Sequence, residues 1–187
     1  MKKTILTCLA AGLLVSTSAF GQGTVAFGNS NTSLVTAEGS PVPTGLNSGY
    51  GGLLVALFWG VQGSSEDALV QIGGTAAIAP LAGRYSGGQR TTGVETAPGA
   101  TATFQVRAWS ADLGATWAEA QSSGGTGWIG ASALFNSATG GAGTPASPAV
   151  PLSATVPGFA VTLVPEPSVI ALAVLGAGAL FFRRKKA

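Results

Sequence analysis

The 187-residue chain contains no histidine, and its single cysteine is Cys8. Without an imidazole there is no Ser-His-Asp or Cys-His nucleophilic site, and the usual zinc ligand sets cannot be assembled. Lysine occurs only as Lys2, Lys3, Lys185 and Lys186, so the long middle of the chain offers none for a Schiff base or a phosphate-binding loop. Charged residues make up 9% of the chain, and the acidic ones never cluster at the spacing a calcium loop requires. No catalytic residue, metal or cofactor is therefore expected. The basic pI near 9.0 is a property of the two ends, because Lys2, Lys3, Arg183, Arg184, Lys185 and Lys186 are six of the nine basic residues. Between Gln22 and Val164 only Arg84, Arg90 and Arg107 stand against Glu38, Glu66, Asp67, Glu95, Asp112 and Glu119, a net charge of −3. That balance argues against a nucleic-acid partner, which would need a basic face on the folded part.

The N-terminus has the layout of a secretory signal peptide: Lys2 and Lys3, an apolar stretch from Ile5 to Val15, then the small-residue region ending Ala19-Phe20-Gly21. Residues 1–21 are expected to be removed by signal peptidase, with Ala19 and Gly21 before the cut and Gln22 after it. An apolar stretch of about eleven residues suits a signal and is too short for a membrane anchor. Cys8 leaves with it, so the exported chain has no disulfide and must be held by packing.

The C-terminus carries a second address. Pro165-Glu166-Pro167 is followed by the uncharged run SVIALAVLGAGALFF, Ser168 to Phe182, and then by Arg183, Arg184, Lys185 and Lys186. Fifteen helical residues span roughly 22 Å, short of the roughly 30 Å hydrocarbon layer, but snorkelling basic side chains and local thinning make up the difference. The basic cluster places that end in the cytoplasm by the positive-inside rule. A Pro-Glu-Pro triplet, a short apolar helix and a basic terminus in this order resemble the bacterial PEP-CTERM sorting signal. The resemblance covers residues 165–187. It implies a membrane-embedded exosortase as processing partner, a transmembrane helix over 168–182, transient residence in the inner membrane, and delivery to the cell surface or extracellular matrix.

Residues 22–164, about 140 in all, are the usual size of one domain. They are rich in Gly, Ala, Ser and Thr, yet the four tryptophans argue for a packed core. Strands are predicted at Thr24–Phe27, Leu53–Trp59, Ala68–Ile72, Thr103–Trp109 and Phe159–Leu163. The run Leu53–Trp59 is apolar on both faces, as in a central strand. In Thr103–Trp109, Phe104, Val106 and Ala108 face one way and Gln105, Arg107 and Trp109 the other, which predicts a half-buried strand. Gly28 to Gly49 and Leu81 to Gly99 read as loops, Ala115 to Gln121 as one helical turn, and Gly143 to Pro157 as a crossing loop. Short strands between Gly/Pro-rich connections predict an all-β fold, a single sandwich or jelly roll.

Two functions follow as expectations. The first is a non-enzymatic surface or matrix protein. The second is a carbohydrate-binding, or less readily glycoside-hydrolysing, sandwich that meets extracellular polysaccharide. It rests on Trp109 and Trp117, placed near Asp112 and Glu119, as stacking platforms for a sugar ring; the alternative for Trp109 is a core side chain covered by a loop or by Trp117. Glu66-Asp67 reads as a solvated turn.

Overall fold

A computed structural model describes residues 21–44, 51–142 and 145–165. The architecture is all-β. The apolar run beginning at Leu53 forms β4 (Leu53–Val61), because a segment apolar on both faces is stable only where both faces are covered. Its neighbour is β7 (Thr101–Ser110), antiparallel to it in unbroken register from Leu53 opposite Ser110 to Val61 opposite Ala102. On the far side of β4 lies β5 (Val70–Ala77).

Past β7 the sheet continues through β8 (Gly127–Ala131), β11 (Phe159–Val164), β2 (Val35–Ala37) and β3 (Ser40–Pro41), with β9 (Phe135–Ala138) also pairing with β7. A second sheet has the order β10 (Val150–Pro151), β1 (Thr24–Gly28), β6 (Ser86–Thr91). Two contacts, β1 with β10 and β2 with β11, are parallel, which departs from the wholly antiparallel pattern of a jelly roll.

One core joins the sheets: Val25, Phe27 and Tyr85 meet Val55, Leu57, Phe104, Val106 and Val161, and Leu152 and Val156 close it. Full burial of a side chain such as Phe27, Leu57 or Phe104 contributes roughly 1.5–3 kcal/mol each, and with Cys8 as its single cysteine the chain has no internal disulfide to add to this.

Several expectations are corrected. The strand β7 is buried on both faces, not one, because two segments fold over its outer side: the β4–β5 connection and the stretch from Ala111 to Ser122. The pair Gly73-Gly74 does not end β5. Leu57 pairs with Ile72 and Val55 with Ala76, so the glycines form a bulge inside the strand, with Gly73 at φ 68°. Ala68 closes a 3-10 turn, Glu66–Ala68, that precedes β5. Within Gly28–Gly49, the described part contains the β2–β3 hairpin, whose two turn residues, Glu38 and Gly39, both have positive φ, as a tight hairpin turn requires. Within Leu81–Gly99, β6 pairs along the whole of β1. The helical turn is α1 (Trp117–Ser122).

Three sheet edges are blunted against further pairing. The strands β3 and β10 are two residues long and contain proline, and the bulged edge of β5 has Gly74 O occupied by Arg90 Nη2 at 2.9 Å.

Candidate functional site

The outer face of the large sheet gathers most of the chemistry in the domain. Register places Leu54 beside Trp109, Ala56 beside Arg107, Phe58 beside Gln105 and Gly60 beside Thr103. Here the lone arginine of β7 is 6% exposed. A buried cation is costly unless every donor is used. Arg107 Nε donates to Gln105 Oε1 at 2.7 Å, and Nη2 donates to Glu66 O at 2.8 Å. The guanidinium lies 4.2 Å from the Phe58 ring centre and 5.2 Å from that of Trp117. The Glu66 carboxylate stands 4.0 Å from Nη2. Burial lowers the Arg107 pKa, and the charges of Glu66 and Asp67 oppose that shift.

Arg107 is thus the point at which the two covering segments meet, Glu66 reaching it from one and Trp117 from the other. Beneath it, Gln105 Nε2 donates to Ser132 O at 3.0 Å, and Thr103 Oγ1 donates to Asn136 Oδ1 at 2.8 Å while accepting from Gly63 N at 2.9 Å. The polar row is satisfied from one end to the other.

The expected sugar platform does not form at Trp109. Its side chain is fully buried, Nε1 donates to Gly114 O at 3.0 Å, and Trp117 packs on it edge-on with ring centres 5.9 Å apart. Alternation put it on the outer face correctly, but the Ala111–Ser122 segment covers that face. Trp117 is half-buried.

Of the two acidic residues near it, Asp112 is exposed and Glu119 is engaged. Glu119 caps α1: Oε2 accepts from Ala115 N at 2.7 Å and Thr116 N at 3.0 Å, while Thr116 Oγ1 accepts from Glu119 N at 3.3 Å. The backbone bonds from Thr116 and Ala115 hold the Glu119 pKa below the usual carboxylate value. A general acid for glycoside hydrolysis needs the opposite shift. Among the described residues, no group of three or more His, Cys, Asp or Glu is placed to hold a metal.

The terminal signals are partly described. Gly21 and Gln22 begin the described chain, and Gly23, immediately after them, is already tied by Gly23 N to Thr96 O and Thr92 N to Gly23 O, both 2.8 Å. At the other end Val164 pairs with Gly127, and Pro165 follows exposed. Ala19, Glu166, Pro167, the run 168–182 and Arg183, Arg184, Lys185 and Lys186 lie outside the described residues. Among the described residues no helix is long and apolar enough to cross a membrane.

Sequence reasoning missed two polar anchors. Phe58, Glu66 and Trp117 meet Arg107 from distant parts of the chain, so no local spacing signals the cluster. Asn29 is 2% exposed, accepts from Tyr85 N at 3.0 Å and donates to Ser33 O at 2.7 Å and Gly83 O at 2.8 Å, pinning β1 to the β5–β6 connection. An Asn directly after a strand, followed by Ser30 to Ser33, was its only signal.

No protein-family model, no curated protein and no solved structure matches this chain.

Proposed function

We propose that the chain is an exported, non-enzymatic surface or extracellular-matrix protein: a β-sandwich released from its signal peptide and sorted by an exosortase acting on Pro165-Glu166-Pro167. One observation supports this most. The last strand stays in the sheet through Val164, directly before the triplet. The reactive groups of the outer face support it too, since Arg107, Gln105 and Glu119 are engaged in holding the fold. Replacing Pro165 and Glu166 with alanine should leave full-length protein in the membrane fraction. Unchanged release would refute the sorting role.

A second reading, a carbohydrate-binding domain, keeps one specific support: Trp117 is only half-buried, beside a charged guanidinium. Glycan-array binding abolished by Trp117→Ala in a folded variant would favour it, and absence of binding by the parent domain would dismiss it.

A further inference from the structure

At its start the chain passes from an exposed residue to an anchored one in a single step. Gln22 is exposed, whereas Gly23 is buried. From Gly23 on, the backbone is held: Gly23 N donates to Thr96 O and Thr92 N to Gly23 O, both at 2.8 Å, and Thr92 Oγ1 donates to Gly23 O at 3.0 Å. Thr24 N donates to Gly140 O and Gly140 N to Thr24 O, again at 2.8 Å. A Cβ on residue 23 would stand 2.5 Å from Thr139 Oγ1 and 2.9 Å from Thr92 Oγ1, a crowding that glycine avoids.

Gln22 follows the expected signal-peptidase cut. Once Gly21 leaves, the α-amine of Gln22 is free, and the carboxamide of its own side chain is the electrophile within reach. An α-amine titrates at about 7.7–8.0, so a useful share is unprotonated at neutral pH. Attack within one residue also has the high effective concentration of an intramolecular reaction. The nitrogen attacks Cδ, a new N–Cδ bond closes a five-membered lactam, the Cδ–Nε2 bond breaks, and Nε2 departs as ammonia with the proton the amine gives up. No oxidant, metal or second substrate is consumed. The fold decides whether the ring can close, because the carboxamide must turn back over its own nitrogen. Exposed Gln22 can make that turn, and among the described residues no hydrogen bond holds its amide elsewhere. The anchoring is indifferent to the ring, since the first donor it uses is the N–H of Gly23.

We propose that the exported chain begins with pyroglutamate, formed from Gln22 after the signal peptide is cut away, and that the fold leaves Gln22 free to cyclise. The inference rests on that cut and adds a modification to the terminus it creates. The lactam removes the terminal positive charge and leaves an aminopeptidase no free amine, which closes the start of β1 to trimming.

The full chain is expressed in cells that export it, harvested soon after export, and held folded at neutral pH while its N-terminal peptide is weighed at intervals. A synthetic peptide of the Gln22–Phe27 segment is followed beside it. The expected result is an N-terminal peptide that begins at residue 22 and is lighter than the free-amine form by one ammonia. It should form at no less than about one-third of the rate in the synthetic peptide, because an exposed terminus is as free in the fold as out of it. The chain carrying Gln22→Ser should keep its free amine and its full mass. A peptide that begins at Gln22 and keeps its amine would overturn the cyclisation and leave the signal-peptide cut standing. A peptide that begins at any other residue would overturn the cut and the cyclisation together. Conversion below the one-third limit would overturn the claim that the fold leaves Gln22 free. Gln22 is exposed, so the serine variant is expected to fold, and native-like tryptophan emission checks it.

Discussion

Truncating Arg107 to alanine should unpin both segments that cover the outer face. Three losses combine. The charge-assisted bonds to Gln105 Oε1 and Glu66 O go, together worth roughly 1.5–3 kcal/mol, and the Gln105 carbonyl is left buried without its donor at a cost of about 1–3 kcal/mol. The guanidinium over Phe58, at 4.2 Å, adds about 0.5–2 kcal/mol. These overlap, and the void relaxes in part, so about 3–5 kcal/mol is expected, in line with breaking one side of a buried charged pair. For a domain of this size that is roughly 10 °C in Tm. Urea denaturation followed by tryptophan emission reads it directly, because Trp109 and Trp117 lie in the affected layer. The double variant Arg107→Met, Gln105→Leu replaces the polar pair with apolar side chains of similar volume and should recover most of the loss. A cost below about 1 kcal/mol for Arg107→Ala would refute the view that this residue pins the covering layer.

Tyr85 is 2% exposed and its hydroxyl has no hydrogen-bond partner among the described residues, with burial raising its pKa well above the usual value. Tyr85→Phe should therefore be neutral or stabilising by up to about 1 kcal/mol, where loss of a satisfied hydroxyl would cost about that much; chemical denaturation decides the sign. Glu119 has its pKa depressed below 4.5 by backbone donors, so its contribution is present above that value and lost as pH falls through the folded-state pKa. Glu119→Gln should flatten the acid limb of a Tm-against-pH curve below about pH 4.5, and an unchanged limb would contradict the capping role. A Cβ on Gly130 would overlap Ala160 O and stand 2.9 Å from Val161 Cα, both backbone atoms that cannot turn aside. Gly130→Ala should cost about 1–3 kcal/mol in equilibrium unfolding by forcing β8 away from β11.

The strand interiors were legible because period-two patterns and apolar runs act locally. Leu53–Trp59, Thr103–Trp109 and Phe159–Leu163 all fall inside observed strands. Alternation along β7 also sorted Trp109, Arg107 and Gln105 onto one face. The core alternative for Trp109, under Trp117, is the one that forms, whereas Glu66 arrives from a distant part of the chain with no local signal. The predicted strand stops at Ile72 because the Gly73-Gly74 pair that follows weakens a strand, but pairing with β4 carries β5 through it as a bulge. The β2–β3 hairpin was hidden because Glu-Gly is a weaker turn signal than Asn-Gly, and because strands of two or three residues leave no period to detect. Of the candidate site, Trp109 and Trp117 are legible as neighbours, while Arg107, flanked by Phe58 and Trp117, is not, because a single arginine on a strand carries no motif.

Intact-mass measurement on protein recovered separately from the membrane and extracellular fractions tests most directly whether the chain is exported and processed at its tail. Extracellular species that begin at Gln22 and lack the Ser168–Phe182 run and the basic cluster are the predicted result. Protein that retains Ala187 and stays wholly in the membrane fraction would contradict it, leaving a tethered domain in place of a released or transferred one.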